Sequence, residues 1–115
     1  MEAARAAATA LKMGYSGHIT ECHHIHKKDA PSGTAVALHN VVRDATGAEL
    51  PVASEREGEV VGYHELVLDS AADTITLAHH AKSRRGFAEG AVRAAEWIAG
   101  RKGFYDFKDV WRSLR

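Results

Sequence analysis

Residues 21–35 read ECHHIHKKDAPSGTA and join the end of a predicted strand to the start of a predicted helix. The strand is predicted over His18–His26, where β-forming residues alternate with polar ones. Polar side chains fall on both of its faces. On one of them, Glu21 and His23 lie between Ile19 and Ile25. A strand that served only the core would keep one face apolar throughout, so this strand is a candidate for function.

The second half of the same stretch predicts the beginning of a helix. After a loop over Lys27–Pro31, proline suits the first turn and Ser32 or Thr34 can cap it. The helix is predicted to run to about Thr46, with Gly47 as its stop. Its predicted apolar face consists of Ala35, Leu38, Val41 or Val42, and Ala45.

The flanking sequence predicts further helices and a hairpin. In the strand predicted over Val60–Asp69, His64 shares one face with Leu66 and Leu68. Ala48–Gly58, which contains the charge run Glu55–Arg56–Glu57, is left open as a strand edge or a mobile loop. The other predicted elements are a helix at Met1–Met13, strands at Val60–Asp69 and Thr74–His80 joined by a turn at Ser70–Asp73, a helix at Phe87–Arg101, and a short helix or tail at Phe104–Arg115. This order predicts an α+β fold, a mixed open β-sheet flanked by helices.

Composition indicates a soluble globular domain. Of 115 residues, 45% are hydrophobic and 26% are charged, which suffices for a core without disulfides. Fifteen basic residues balance fifteen acidic ones, so nothing favours a nucleic-acid or membrane partner. No apolar stretch approaches the ~20 residues of a membrane span. A single cysteine, Cys22, fits a reducing cytoplasm.

Residues 21–35 also predict an anion site. A helix N-terminus offers free backbone N–H groups, Gly33 allows a close approach, and Lys27 and Lys28 add positive charge. A carboxylate or phosphate would suit such a site, and a neighbouring histidine could donate a proton. Each part also has a purely structural interpretation: solvated histidines, an ordinary helix cap and surface lysines.

A metal site is the rival hypothesis, because His23, His24 and His26 are close in sequence. His23 and His24 point to opposite faces of a strand, however, and no carboxylate or cysteine stands at a helical spacing from them. We therefore predict no metal. The sequence also contains neither a G-x-G-x-x-G fingerprint after an opening strand nor a P-loop, so no nucleotide site is predicted.

The run E-x-H-H-x-x-K-x-D-A-P-S-G-T-A resembles the signature segment of dihydrodipicolinate reductases, also called 4-hydroxy-tetrahydrodipicolinate reductases. The likeness extends over most of the chain, from about Ala10 to Asp109. It continues through Ser54-x-Arg56-x-Gly58, Val61-Gly62-x-His64, His79-x-Ala81-x-Ser83-Arg84 and Phe87-Ala88-x-Gly90-Ala91.

The resemblance implies roles for individual residues. His23 matches the family's general acid, and Lys27 matches a second proton-donating residue near the substrate. His24 matches a residue that binds the dicarboxylate, while Gly33 and Thr34 match the pair that holds a substrate carboxylate. Ser32, His26 and Arg84 complete the expected substrate-binding set.

The resemblance further implies reduction of a cyclic imine dicarboxylate with NADPH or NADH, in the diaminopimelate route to lysine. Members of the family begin with a Rossmann domain, which is missing here, so the main nucleotide site is expected outside these residues. Residues 14–86 would then be a substrate-binding and oligomerisation domain whose strands assemble a homotetramer. Residues 1–13 and 87–115 would pack on the missing domain. The alternative function is a non-catalytic dicarboxylate-binding or oligomerisation module.

Overall fold

The computed structural model describes residues 1–114 and has the predicted α+β fold, an open mixed sheet with flanking helices. Helix α1 (Glu2–Ala7) continues into a 3₁₀ segment (Ala8–Met13) and is followed by β1 (Ser16–His23), α2 (Gly33–Thr46), β2 (Val52–Arg56), β3 (Gly62–Asp69), β4 (Thr74–Ala81), α3 (Arg85–Ile98) and α4 (Phe107–Ser113). None of the helices in this described part is long and apolar enough to cross a membrane.

The sheet has the order β2-β1-β3-β4, so β1 is an interior strand. Strand β2 runs parallel to β1, whereas β3 is antiparallel to β1 and to β4. In this register His23 lies beside Arg56 of β2, and Glu21 lies beside His64 of β3. The carboxyl end of β1 is therefore flanked by polar residues from both neighbouring strands.

The core lies between one face of the sheet and the helices of the first eighty residues. Ile19 and Leu66 of the sheet and Val42 of α2 have no exposed surface. The choice left open between Val41 and Val42 is settled for Val42, which lies seven residues after buried Ala35 and so on the same side of the helix.

The chain forms two compact units, Met1–Lys82 and Ser83–Arg115. The division predicted from the sequence, with residues 1–13 and 87–115 apart from 14–86, has different boundaries. Ala4, Ala8 and Ala10 are buried in the same core cluster as the sheet, which is why the opening helix belongs to the first unit. The packing of residues 1–13 and 87–115 on a nucleotide-binding domain stays a prediction.

Several predicted boundaries are wrong by a few residues. Strand β1 ends at His23 and not at His26, because the backbone turns there and the Lys27 N–H donates to the His24 carbonyl oxygen at 3.1 Å. The segment left open after Gly47 contains the edge strand β2.

The helix boundaries shift in the same way. Helix α2 begins at Gly33, with Ser32 as its N-cap, so Pro31 precedes the helix. Helix α3 ends at Ile98. Gly100, which has a positive φ of 77°, lies in the turn that follows. Of the predicted C-terminal tail, Arg115 lies outside the described residues.

Candidate functional site

A buried carboxylate, that of Glu21, organises the end of β1. Glu21 has 0% exposure and accepts two hydrogen bonds from the Arg56 guanidinium, at 3.0 and 3.1 Å. Its Oε1 also accepts the backbone N–H of Ser32 at 3.0 Å, and its Oε2 lies 2.6 Å from Nδ1 of His23. Burial alone raises the pKa of Glu21, but hydrogen bonds from these three residues and Ser54 outweigh it and lower the pKa to about 2. Glu21 is therefore ionised at neutral pH.

His23, the predicted proton donor, is the last residue of β1 and lies on the same strand face as Glu21. Its side chain keeps 12% exposure. Its ring packs edge-on against that of His64, with 5.1 Å between the ring centroids. A Cβ added at Gly62 would lie 3.3 Å from Nε2 of His23, so the missing side chain at Gly62 makes room for the ring.

Arg56 also anchors the loop that follows β1. Besides Glu21, its guanidinium donates to the carbonyl oxygens of Lys27 at 3.3 Å and Asp29 at 2.6 Å. A planar guanidinium with five N–H donors can make these contacts together, whereas a lysine ammonium has only three donors. One side chain of β2 thus fixes both the buried carboxylate and the backbone of the lysine loop.

Lys27 lies in this loop with its side chain 23% exposed. Its ammonium pairs with the Asp29 carboxylate, with 3.0 Å between Nζ and Oδ1. The hydrogen bond from Lys27 lowers the pKa of Asp29. Because this pair is open to solvent, an incoming anion can compete with Asp29 for the ammonium.

The N-terminus of α2 presents the predicted anion site. Ser32 caps the helix through its side-chain oxygen, which accepts the Ala35 N–H at 3.2 Å, and its carbonyl accepts the Val36 N–H at 3.0 Å. The N–H groups of Gly33 and Thr34 belong to the first turn and are left for an external acceptor. Both residues are exposed.

Gly33 is required neither by backbone conformation nor by packing within the chain. Its φ is not among the positive values, and a Cβ there would meet no atom within 4 Å. Open space above the first turn of a helix is what a close-bound anion needs.

His64 connects this helix to the sheet. Its Nε2 lies 3.0 Å from the hydroxyl oxygen of Ser32. Burial, followed by repulsion from His23, lowers the pKa of His64 and favours its neutral form. His64 and Thr34 line a mostly apolar cavity of about 230 Å³ together with Leu38, Leu77 and His79.

The structure brings part of the predicted set together. His23 and Ser32 are joined through Glu21, and the backbone of Lys27 is tied to the same carboxylate through Arg56. Gly33 and Thr34 follow Ser32 directly on α2.

The remaining predicted residues are not among the hydrogen-bonding partners of this network. His24 and His26 lie on the turn after β1, with 6.1 Å between their ring centroids. The side chain of His26 is 72% exposed. Arg84 is exposed and is the N-cap of α3, in the second unit.

Sequence reasoning missed Glu21, Arg56 and His64 as functional candidates. A signal existed for two of them. Glu21 shares a strand face with Ile19, and His64 shares one with Leu66, so both are polar residues next to apolar ones on the same face. Arg56 had no such signal, because an arginine between two glutamates is typical of a solvated surface.

One group of potential metal ligands occurs within residues 1–114, and it differs from the predicted rival. The ligand atoms of Glu21, His23 and His64 all lie within 4.8 Å of one another. The two Glu21 oxygens, however, already accept hydrogen bonds from the Arg56 cation. A metal ion would have to displace that half-buried guanidinium from the buried carboxylate, and so this arrangement does not favour a metal site.

Comparisons with known proteins identify the family of the chain. A family model described as "Dihydrodipicolinate reductase, C-terminus" matches residues 1–111. The chain is 40% identical over 131 residues to the 4-hydroxy-tetrahydrodipicolinate reductase of Thiobacillus denitrificans, covering 96% of this chain and 49% of the relative. It is also 40% identical to the enzyme of that name from Acidiphilium cryptum, covering 94% of this chain and 52% of the relative.

A solved structure described as dipicolinate-bound dihydrodipicolinate reductase from Paenisporosarcina sp. TG-14 has a TM-score of 0.65 and 22% identity. The match covers 77% of this chain and 42% of that one, and it supports the fold. The chain spans about half the length of the curated relatives it matches. On the family model and these relatives together, the chain belongs to the dihydrodipicolinate reductase family and corresponds to its C-terminal domain.

Proposed function

We propose that this chain is the substrate-binding part of a 4-hydroxy-tetrahydrodipicolinate reductase. The parent activity would be reduction of a dihydrodipicolinate-type cyclic imine to tetrahydrodipicolinate with NADPH or NADH, in the diaminopimelate route to lysine. The observation that carries the proposal is the open first turn of α2, next to a network that contains His23 and the Lys27 loop. This arrangement suits a ligand that needs both an anion site and a proton donor.

The dicarboxylate is proposed to bind at the N-terminus of α2. The N–H groups of Gly33 and Thr34, with the Thr34 hydroxyl, would hold one carboxylate, since hydrogen bonds to an anion are stronger than neutral ones. Lys27 would add positive charge after exchanging its Asp29 partner for the ligand. Ser32 would act by capping the helix and by orienting its first turn.

His23 is proposed as the general acid. In a reduction of this type, negative charge builds on a ring carbon and on the ring nitrogen, and a donor within hydrogen-bond reach lowers the barrier. Nδ1 of His23 is engaged by Glu21, which leaves Nε2 for the substrate. Lys27 stays the second candidate donor, while contacts from His24, His26 and Arg84 stay predictions.

The residues present do not fit the nicotinamide cofactor. The sequence contains no dinucleotide fingerprint, and the exposed helix N-terminus of α2 is assigned to the dicarboxylate. We therefore place the main nucleotide site in the half of the relatives that this chain does not match.

The second unit supports the proposal that residues 87–115 pack on such a partner. No side chain of α3 is buried, and even its apolar residues Phe87 and Val92 are 64% and 57% exposed. An amphipathic helix gains little stability until its apolar face is covered. Strands β3 and β4 are likewise the proposed homotetramer surface, and most of β4 is exposed.

Calorimetric titration with pyridine-2,6-dicarboxylate tests the binding half of this proposal. We expect the folded chain to bind it and Lys27→Ala to weaken binding by about tenfold, because one charged interaction with the ligand is removed. Lys12→Ala, a lysine of the 3₁₀ segment, is the matched control. A correctly folded chain that does not bind the dicarboxylate would contradict the proposal.

An activity assay separates the reductase from a non-catalytic dicarboxylate-binding module. This chain alone should not oxidise NADH or NADPH, and robust turnover would contradict our placement of the cofactor site. Joined to the nucleotide-binding half of a relative, it should reduce the cyclic imine. Dicarboxylate binding with no turnover in that joined protein would favour the module.

A further inference from the structure

Glu21 lies where it can act on the proposed acid but not on a ligand. Its carboxylate has no exposed surface, and its partners are His23, Arg56, the Ser32 backbone and the Ser54 side chain. An ionised carboxylate can only accept hydrogen bonds. The 2.6 Å contact therefore requires a proton on Nδ1 of His23, since a lone pair there would face the lone pairs of Oε2.

We propose that Glu21 is a positioning residue that holds His23 as its Nδ1–H form and leaves Nε2 as the one ring atom that exchanges a proton with the ligand. This inference rests on the proposed function for the role of His23. The tautomer itself does not rest on it, because the tautomer is a property of the ligand-free chain.

Arg56 makes this arrangement possible. A carboxylate buried without a cation would take up a proton, and a protonated Glu21 could donate its hydrogen to Nδ1 and select the opposite tautomer. The guanidinium instead occupies both oxygens from the β2 side, and the Ser32 N–H adds a third donor. Together they keep Glu21 an acceptor, with its pKa lowered to about 2.

The alternative is that Glu21 and Arg56 form an ion pair with a purely structural role. A buried ion pair is often no more stable than apolar residues of the same size, so stability alone is a weak reason for this pair. The carboxylate is also oriented, since it lies two residues before His23 on the same strand face. Gly62 gives the ring room in this orientation, because a Cβ there would crowd Nε2.

Proton transfer balances without Glu21 changing its charge. The doubly protonated His23 ring gives its Nε2 proton to the substrate carbon, whose electron pair forms the new C–H bond. Nε2 keeps the electron pair of the broken N–H bond, and the ring becomes neutral. Nδ1–H remains bonded to Glu21 throughout, so the carboxylate stabilises the charged ring before transfer and retains its tautomer afterwards.

The test is ¹⁵N NMR of the histidine rings in the full, ligand-free chain at alkaline pH, with His23 assigned by the disappearance of its signals in His23→Gln. We expect Nδ1 of His23 to have the shift of a protonated nitrogen and Nε2 that of an unprotonated one. In Glu21→Gln the preference should weaken, because the amide can donate as well as accept. Arg56→Lys keeps a cation beside Glu21 and should preserve the tautomer.

Glu65→Gln is the matched control, because Glu65 accepts a hydrogen bond from Tyr63 and pairs with Thr20, not with His23, across the neighbouring strands. It should leave the His23 shifts unchanged. A wild-type chain with the proton on Nε2, or a Glu21→Gln variant that folds and keeps the full Nδ1–H preference, would overturn the inference. If Glu21→Gln does not fold, the wild-type spectrum still decides. A failure to bind pyridine-2,6-dicarboxylate would remove the proposed function and leave this spectrum unaffected.

Discussion

The carboxylate of Glu21 and the imidazole of His23 are 2.6 Å apart at the end of β1, on the strand face that α2 covers. The carboxylate is fully buried, whereas the imidazole keeps a small exposed surface. The same Glu21 carboxylate forms an ion pair with Arg56 and holds the proposed acid, His23. The charge of Glu21 therefore matters both for the stability of the fold and for the proposed chemistry, and it makes stability depend on pH.

Acid should destabilise this chain through Glu21. Its folded pKa of about 2 lies below the ordinary value of 4.5, so ionised Glu21 stabilises the fold above pH 4.5. That contribution is lost as the pH falls from 4.5 towards 2, and it amounts to something on the order of 3 kcal/mol. Urea unfolding near neutral pH and at about pH 3 measures the decrease in stability.

Glu21→Gln provides the control for this pH dependence. The variant should be less stable than wild type near neutral pH, because Arg56 is left buried without its anion. The difference between the two proteins should shrink at low pH, where wild type also loses the charge. A difference that stays constant with pH would show that Glu21 is not the group responsible.

The α+β class and four of the elements around the candidate site could be predicted because they depend on local patterns. Alternation predicted β1, β3 and β4, and the Ser32 cap with Gly47 bounded α2. The end of β1 was predicted three residues too late, because alternating histidines continue past His23. The backbone turns after His23, where the Lys27 N–H donates to the His24 carbonyl oxygen.

The partners of the site could not be predicted in the same way. Arg56 reaches Glu21 across 35 positions of sequence, and this contact depends on the parallel pairing of β2 with β1. His64 depends in turn on the antiparallel pairing of β3. Strand pairing of this kind is non-local and is not encoded in the periodicity of either strand. The family resemblance singled out the proposed acid, His23, whereas only the sheet showed which residues hold it.

Ser32→Ala should destabilise the first unit by about 1 kcal/mol, because the Ala35 N–H loses its cap. Ser32→Gly should lower the stability by only about a few tenths of a kcal/mol relative to wild type, since glycine is tolerated at an N-cap. Chemical denaturation of the three proteins measures both effects. Equal stability of the alanine variant and wild type would mean that the cap contributes nothing.

Asp29→Asn should strengthen dicarboxylate binding severalfold. Asp29 pairs with the Lys27 ammonium at 3.0 Å in an exposed position, so its charge competes with the ligand. Titration calorimetry with pyridine-2,6-dicarboxylate measures the change, which should diminish at high salt.

Asp44→Asn is the matched control for Asp29, since Asp44 pairs with Arg43 near the other end of α2. It should leave the affinity unchanged. Weaker binding by Asp29→Asn would indicate that Asp29 orients Lys27 for the ligand and does not compete with it.

Gly33→Ala should separate binding from stability. Because the φ of Gly33 is not positive and a Cβ meets no atom within 4 Å, alanine should leave the fold as stable as wild type or up to about 1 kcal/mol more stable. The same methyl group would occupy the space above the first turn of α2, where the carboxylate is proposed to bind. Affinity for pyridine-2,6-dicarboxylate should therefore fall by at least about tenfold, because the carboxylate could no longer reach the N–H groups of that turn.

Gly86→Ala is the control for this change. Gly86 likewise lies in the first turn of a helix, as the second residue of α3, and a Cβ there meets no atom within 4 Å. It should alter stability as little as Gly33→Ala does, and it should not alter dicarboxylate affinity. If Gly33→Ala binds the dicarboxylate as tightly as wild type, the carboxylate does not approach the first turn of α2, and the anion site must be sought elsewhere around Lys27. A lower affinity at unchanged stability would instead assign the glycine to the ligand, because neither the backbone conformation nor the packing at this position requires it.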